Sequence, residues 1–227
     1  MLTLILAEAE LELVPEELYD QPAVKAVAKR KGKKPGQILL DSSYHHTAMH
    51  ELQEGYRRGR PDIVHIFLLT SLESILNKKG LLRVIVHTRN NEAIYIDPST
   101  RIMKNYDRFK GLIEQLFDKK TLPIEADKPL LKLVPNTGLE KIIDQVGSDF
   151  VIGFSEKGRQ VKLLEYISNL KRQGIENIAC IIGGFPKGDF YSDIEKITDN
   201  VISIYQDMLV AWTIAAEMIV NYENVYW

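Results

Sequence analysis

The C-terminal third of the chain contains two apolar segments that each end in a segment suited to ligand contact. The first runs through Cys180-Ile181-Ile182 into Gly183-Gly184-Phe185-Pro186-Lys187-Gly188-Asp189, and the second is Val201-Ile202-Ser203-Ile204-Tyr205-Gln206-Asp207. Glycine has no Cβ and tolerates positive φ, so it lets the backbone approach a ligand closely. Ligands of open α/β sheets bind outside the carboxyl ends of the strands. These two segments predict a cofactor site. Taken by themselves, they fit an ordinary strand-turn-helix without a ligand equally well.

Apolar strand-like runs alternate with helical stretches along the second half of the chain, at 130–134, 150–154, 177–182 and 200–204. This alternation indicates an α/β fold with a mainly parallel sheet flanked by helices. The first half predicts further elements: strands at 2–6 and 37–40, a helix from Pro15, a helix from Arg60-Pro61 to Gly80, a hairpin at 81–97, a helix from Asn105 or Asp107 to Phe117, and a linker at 121–129.

Composition excludes several classes of protein. The 227 residues are 45% hydrophobic and 26% charged, with a net charge of -2, so nucleic acid could bind only at local basic patches. The single Cys180 lies in an apolar run and fits a buried thiol in the reducing cytoplasm. No apolar run is long enough to span a membrane, and the apolar start at 1–6 lacks the basic residues of a signal peptide.

The last predicted helix, at 207–222, is apolar nearly all round. Such a helix must be buried on more than one side. Packing on its own sheet and on a second copy of the chain satisfies this requirement most simply, and most soluble oligomers are symmetric dimers. The sequence therefore predicts a homodimer formed through the C-terminal helix, with complete burial in the core of one chain as the alternative.

A group of histidines offers a competing site. His46 and His50 are spaced to share a metal on one face of a helix. The residue after His46 is Thr47, however, so the pattern of a zinc protease is absent. We predict no metal site here, and a metal-dependent hydrolase remains the least favoured function.

Several blocks in the sequence resemble the ribosome-biogenesis pseudouridine N1-methyltransferases of the SPOUT class. The resemblance covers nearly the whole chain. The short length and compact N-terminus of this chain are closer to those of the archaeal members. The blocks include Asn77-Lys78-Lys79-Gly80-Leu81-Leu82-Arg83-Val84 and the Gly-rich ending. The most specific are Arg60-Pro61-Asp62-Ile63-Val64-His65 and the pair Pro98-Ser99-Thr100-Arg101-Ile102 and Arg108-Phe109-Lys110-Gly111-Leu112.

The resemblance implies a single domain over 1–227 with a deep trefoil knot at the C-terminal end and an inserted hairpin-helix extension at about 81–120. It also implies that S-adenosylmethionine binds at the knot, mostly through backbone groups, and that a loop at Pro135-Asn136-Thr137 closes over it. By motif, the cofactor residues are Gly183, Gly188, Ile202, Ser203, Ile204, Tyr205, Gln206 and Asp207. Side chains at 203–209 differ from the family pattern, which contacts made by the backbone would tolerate.

The resemblance further implies methylation of N1 of a pseudouridine in a hairpin loop of small-subunit ribosomal RNA. The RNA-binding arginines of the family fall on Arg60, Arg101 and Arg108, and a fourth falls on Lys104. Lysine keeps the charge but loses the bidentate fork of arginine. Other residues that could join this basic surface are Arg57, Arg58, Lys110, Tyr56, Tyr106 and Phe109.

Asp62 and Arg60 are the candidate catalytic residues. Asp62 could accept or orient the N1 proton, and Arg60 could stabilise negative charge on the uracil carbonyl. A carboxylate in the first turn of a helix also stabilises that helix without any catalysis, and Asp62 could pair with Arg60 or Arg83. A non-catalytic ribosome assembly factor that docks on ribosomal RNA is the alternative function.

Overall fold

The computed structural model describes residues 1–124 and 126–227. The strands of these residues form one mixed sheet of eight strands. They are β1 (Leu2–Ala9), β2 (Leu82–Thr88), β3 (Ala93–Ile96), β4 (Thr121–Leu122), β5 (Leu131–Val134), β6 (Phe150–Gln160), β7 (Ile178–Gly183) and β8 (Asn200–Ser203). Their order across the sheet is β4-β5-β3-β2-β1-β7-β6-β8.

The predicted α/β fold with a mostly parallel sheet is confirmed. Strands β2, β1, β7, β6 and β8 are parallel neighbours. The predicted hairpin at 81–97 is also present, as the antiparallel pair β2 and β3. Strand β5 pairs with the outer edge of β3 in the antiparallel direction, so β5 runs the same way as β2 and the reversed strand between them is β3.

Helices cover both faces of the sheet. Those of the described residues are α1 (Pro22–Lys31), α2 (Ser42–Met49), α3 (Pro61–Leu72), α4 (Ile75–Lys78), α5 (Tyr106–Lys119), α6 (Leu139–Val146), α7 (Leu163–Arg172), α8 (Ile194–Ile197) and α9 (Ala211–Tyr226). None of them is long and apolar enough to cross a membrane.

The alternation of side chains along β1 separates two cores. Leu2, Leu4 and Leu6 pack with α3, α5, α7 and α9, whereas Ile5 and Ala7 pack with α6 and α8 on the other face. Successive residues of a strand point to opposite faces, so a fully apolar strand such as β1 must be covered twice. A smaller third core lies between α1 and α2.

Two predictions near the N-terminus were wrong. The segment after Pro15 forms only a short 3-10 turn, Glu16–Leu18, and α1 begins at Pro22, because a residue before proline is disfavoured in the helical region. The expected strand at 37–40 is absent, and Leu39 forms one isolated bridge to Leu13. The Leu39 N–H donates instead to the Glu114 carboxylate at 3.1 Å.

The later boundaries also differ from the sequence prediction. The helix from Pro61 is divided into α3 and α4, because Ser74 interrupts it and caps α4 through a bond from the Asn77 N–H. The final helix begins at Ala211 rather than Asp207, since the residues before it line a cleft. The predicted linker begins as β4, and its Glu125 lies outside the described residues.

Candidate functional site

A cleft opens at the carboxyl ends of β6, β7 and β8, as expected for a ligand site in an open sheet. We call it the C-terminal cleft. Seven of the eight predicted cofactor residues line it: Gly183, Gly188, Ile202, Ser203, Ile204, Tyr205 and Asp207. Gln206 is not part of the lining, which further includes Phe154 and Phe185. Most of the residues predicted from sequence to bind the cofactor therefore lie together at one place in the fold.

Close packing around the C-terminal cleft explains two of its glycines. A Cβ on Gly183 would come within 2.8 Å of the Phe185 ring, which lines the cleft. Gly188 has φ of +85°, a conformation that other residues rarely adopt. Both positions therefore need glycine for shape and not only for flexibility.

Strand β6 has an unusual relation to β8. Phe154 and Arg159 both pair with Ile202, and the four residues between them bulge outward. A Cβ on Gly158 would overlap the Ile202 backbone, so glycine allows the two strands to touch. The bulge carries Ser155 and Glu156 into the lining of the C-terminal cleft.

The loop between β7 and α8, residues 184–192, forms one wall of the cleft, and we call it the Gly-rich loop. Its Gly184 N–H donates to the Ala7 carbonyl at 2.7 Å. At its other end, the Glu8 carboxylate accepts the N–H groups of Tyr191 at 2.6 Å and Ser192 at 2.8 Å. These bonds tie the loop to the end of β1.

Three glutamates at the end of β1 are buried: Glu8, Glu10 and Glu12. Glu10 binds the Arg57 Nε and the Arg89 Nη1, both at 2.6 Å. A buried carboxylate is tolerated only when such partners compensate its lost hydration. This buried ion-pair cluster was not predicted, and the only signal for it in the sequence was an alternation of acids directly after an apolar strand.

The ion-pair cluster removes two arginines from the expected RNA surface. Arg57 is buried and Arg58 lies against Glu12, to which it donates two bonds of 2.8 Å. Their predicted exposure on a basic surface was wrong. The acids of β1 draw both guanidinium groups inward, because an unpaired buried carboxylate would cost more than the ordering of an arginine.

Lys110 and Phe109 are also unavailable to RNA. The Lys110 Nζ is buried and donates to Asp41 at 2.8 Å, and the Phe109 ring is buried against the His65 ring. Both residues lie on α5, whose packed face holds them inside. Tyr106 is partly buried and donates its hydroxyl to Asp41, whereas Tyr56 is exposed.

The remaining predicted RNA residues lie at the surface. Arg101, Lys104 and Arg108 are exposed and form no ion pair within the residues that the structure describes. The three lie within eight positions of one another, at and before the N-terminal turn of α5. Their charges are therefore free for an anionic ligand.

Arg60 and Asp62 form a closely matched pair at the start of α3. Arg60 donates from Nε and Nη2 to the two Asp62 oxygens, at 2.8 and 2.7 Å. The hydrogen bonds that Arg60 donates to Asp62 raise the pKa of Arg60, against the effect of partial burial. Of the two partners predicted for Asp62, Arg60 is the one with which it pairs. Neither Arg60 nor Asp62 lines the C-terminal cleft.

Two other predicted features have different surroundings. The loop at Pro135-Asn136-Thr137 lies outside the cleft lining, and the Thr137 N–H donates to the Asn91 carbonyl at 2.7 Å. The rings of His46 and His50 contact each other edge-on at 4.8 Å. Among the described residues, no group of three or more His, Cys, Asp or Glu side chains could hold a metal ion.

A family model described as EMG1/NEP1 methyltransferase matches residues 4–223. The chain belongs to this EMG1/NEP1 family. The match extends from β1 to the last turns of α9, so it includes the C-terminal cleft, the ion-pair cluster and the exposed basic residues. The resemblance that the sequence blocks predicted is confirmed.

Archaeal relatives in the EMG1/NEP1 family match over almost their full length. The ribosomal RNA small subunit methyltransferase Nep1 of Methanothrix thermoacetophila is 49% identical over 224 residues, which cover 99% of this chain and 96% of the relative. The protein of the same name from Pyrococcus furiosus is 50% identical over 222 residues, covering 98% and 96%.

A solved structure in the EMG1/NEP1 family is similar in fold. Archaeoglobus fulgidus Nep1, crystallised with S-adenosylhomocysteine, has a TM-score of 0.86 and 36% identity, with 99% of this chain and 98% of that chain covered. S-adenosylhomocysteine is the product that S-adenosylmethionine leaves after methyl transfer.

Proposed function

We propose that the protein transfers a methyl group from S-adenosylmethionine to N1 of a pseudouridine in a hairpin loop of small-subunit ribosomal RNA, during assembly of the small subunit. The observation that carries this proposal is the C-terminal cleft. Seven cofactor residues expected from sequence motifs line it, in a chain similar to a structure that binds S-adenosylhomocysteine.

The cleft suits a cofactor held mainly by backbone groups. Its lining comes from strand ends and from glycine turns, where main-chain N–H and C=O groups are accessible. Contacts of this kind do not depend on side chains, so the departures at 203–209 are tolerated. The Ser203 hydroxyl donates to the Tyr205 carbonyl and holds the turn after β8.

The cofactor supplies an activated methyl group on a sulfonium. The uracil N1 forms the new bond to the methyl carbon as the sulfur–carbon bond breaks, and the N1 proton must leave. Positioning the two reactants can supply about 7–11 kcal/mol of the barrier. We infer that Arg60, oriented by Asp62, stabilises negative charge on the uracil ring, while Asp62 remains the candidate acceptor of the proton.

The RNA would bind at the exposed basic residues. Arg101, Lys104, Arg108 and the partly exposed Arg60 offer positive charge to phosphates. A target base must leave its stack to reach a cofactor, and a hairpin loop makes this step easier than a duplex does. We assign these residues to the inserted hairpin-helix extension at 81–120 and to the adjoining start of α3, within a single domain over 1–227.

We also infer that the chain forms a homodimer through α9 and acts in the cytoplasm, where ribosomal RNA is modified. One face of α9 packs in the core, whereas Val220 on the helix and Met208 and Val210 just before it are about half exposed, at 51%, 55% and 47%. A second copy would cover these apolar side chains. Sedimentation equilibrium that gave the mass of one chain would refute the dimer.

The trefoil knot implied by the family resemblance is a further part of the proposal. Its support is the double pairing of β6 with β8, in which Phe154 and Arg159 both pair with Ile202 just before the chain continues into the cleft. A crystal structure whose backbone never passes through its own loop there would refute it.

The decisive experiment measures methyl transfer from labelled S-adenosylmethionine to two RNA hairpins that differ only in pseudouridine or uridine in the loop. We expect label only on the pseudouridine hairpin, because uridine presents no free N1–H. Label on neither, with RNA binding retained, would favour the assembly-factor function and contradict the proposed reaction.

Gly188→Arg provides the matched variant. Gly188 has φ of +85°, so an arginine there would strain the wall of the cleft, and its Cβ would lie 3.3 Å from the Arg57 guanidinium behind that wall. We expect loss of cofactor binding and methyl transfer with RNA binding unchanged. Retained methylation would mean that the cofactor binds elsewhere.

A further inference from the structure

The Arg57 side chain connects the end of β1 to the Gly-rich loop. Its Nε donates to Glu10 at 2.6 Å, and its Nη1 donates to the Asp189 carbonyl at 2.9 Å. Glu10 is fully buried, and its second oxygen is held by Arg89. The guanidinium group is thus fixed from one side and bonds to the loop from the other.

Two aromatic rings of the Gly-rich loop enclose the same guanidinium group. The Arg57 Cζ lies 4.3 Å from the centre of the Phe185 ring and 4.2 Å from that of Tyr191. A planar guanidinium stacks on aromatic faces in a way that a lysine ammonium does not reproduce. Arg57 therefore contacts the loop near its start, middle and end.

Two of the three loop residues that Arg57 bonds to or stacks on, Phe185 and Asp189, also line the C-terminal cleft. Phe185, Gly188 and Asp189 line the cleft, and the Phe185 ring packs edge-on against Phe190, which lines it as well. Arg57 itself is not part of the lining. It acts from behind the wall that the ligand would touch.

We propose that Arg57 is a positioning residue that holds the Gly-rich loop in the shape that lines the C-terminal cleft, so that affinity for S-adenosylmethionine depends on a side chain the cofactor does not touch. The role in affinity rests on the proposed function, whereas the role in loop shape does not. The buried Glu10 is the fixed point, because it cannot move without exposing a charge to an apolar interior.

Arg58 supplies a close control. It neighbours Arg57, pairs through two bonds with the buried Glu12, and makes no hydrogen bond or ring contact with the Gly-rich loop among the described residues. Arg57→Lys and Arg58→Lys therefore replace the same group next to a buried acid, and only the first alters the loop.

The test uses the full-length protein and two measurements. Titration calorimetry with S-adenosylhomocysteine should show affinity reduced by about tenfold or more in Arg57→Lys, since a charge-assisted bond and two ring contacts are lost. Arg58→Lys should change it less than about threefold. Equal losses in both variants would overturn the proposal, because they would reflect general destabilisation.

Hydrogen exchange without cofactor provides a second measurement that does not rely on the proposed function. The amides of Tyr191 and Ser192, bonded to Glu8, should exchange faster in Arg57→Lys than in Arg58→Lys. Unchanged exchange would overturn the proposed role in loop shape. If the native protein bound no cofactor, the proposed function would fail, and exchange would still decide the role of Arg57.

Discussion

Two groups of basic side chains lie in the same half of the sequence, but one group pairs with buried acids and the other is exposed to solvent. Arg57, Arg58 and Arg89 are directed inward to Glu10 and Glu12. Arg101, Lys104 and Arg108 are exposed and without an ion pair in the described part of the chain. The first group pairs with the buried acids behind the wall of the cleft, and the second is the group that we propose binds RNA. Charge in the sequence does not distinguish them.

The difference arises from the neighbours that the fold provides. Strand β1 ends with acids that the sheet buries, and cations or backbone amides from adjacent loops must compensate their lost hydration. Glu8 even adopts φ of +51°, an uncommon conformation for a residue with a side chain, and its carboxylate binds the amides of the Gly-rich loop. At the start of α5 the buried acid is Asp41, and its bonds come from Tyr106 and Lys110. Arg108, on the outer side of the same helix, stays in solvent.

Removal of the shared acid should have the largest effect. Glu10→Ala leaves the buried Arg57 without its counter-ion and removes the shortest ion pair of Arg89, which keeps the more distant Glu12 and Glu54. Loss of one partner of a buried pair typically costs about 3–5 kcal/mol. We expect a free energy of unfolding lower by about that amount, measured by urea denaturation.

Glu165→Ala is the control for that change, because its pair with Lys162 at 3.4 Å is exposed on both sides. It should change the free energy of unfolding by less than about 1 kcal/mol. A similar small change for Glu10→Ala would show that the ion-pair cluster does not stabilise the fold.

The exposed group should behave in the opposite way. Arg101→Ala and Arg108→Ala should leave stability within about 0.5 kcal/mol of the native value, as surface changes usually do. Each should weaken binding of a small-subunit RNA hairpin and lower the slope of log affinity against log salt concentration by about one, if it contacts a phosphate.

Lys162→Ala serves as the control for the RNA measurement, because it removes the charge of an exposed lysine that lies directly before α7 and not near α5 in the sequence. It should alter neither affinity nor salt slope. An unchanged slope in both arginine variants would remove them from the RNA surface and weaken the contrast between the two groups.

The smallest expected effect is a dependence of stability on pH that the buried polar groups impose. Burial lowers the pKa of His45 below 6.5, so the unfolded chain binds more protons than the folded one as the pH falls through that value. The free energy of unfolding should therefore decrease below about pH 6.5. Burial also lowers the pKa of His87, which changes the free energy of unfolding in the same direction.

Asp41 adds a second step at lower pH. Burial favours its neutral form, but bonds from Lys110 and Ser43 outweigh it and hold the pKa below 3.8. Its stabilising contribution is complete above pH 3.8 and is lost as the pH falls through the folded value. Urea denaturation from pH 8 to 3 measures both steps, and a His45→Gln, His87→Gln double variant should lose the first. A flat curve between pH 7 and 5 would contradict it.

The residues predicted from sequence to bind the cofactor lie together, whereas several elements predicted in the N-terminal third of the fold were wrong. Seven of the eight predicted cofactor residues line one cleft, because residues that follow parallel strands meet at one edge of a sheet. Short-range signals failed where tertiary contacts decided, as at Leu39, which donates to the distant Glu114 instead of extending a strand.

Burial of individual charges could not be predicted from sequence. Lys110 and Arg108 belong to the same helix turn and carry the same charge, yet Asp41, distant in sequence, draws only Lys110 inward. A helix places its residues around a circle, and the partner on the packed face is known only after the chain has folded.

The order of apolar runs and the local motifs were enough to predict the α/β class, the family and the segments that line the C-terminal cleft. Which cations pair with buried acids and which stay exposed could be seen only in the folded chain. That choice depends on pairs such as Glu10 and Arg57, 47 residues apart, whose strength comes from burial that no local pattern records.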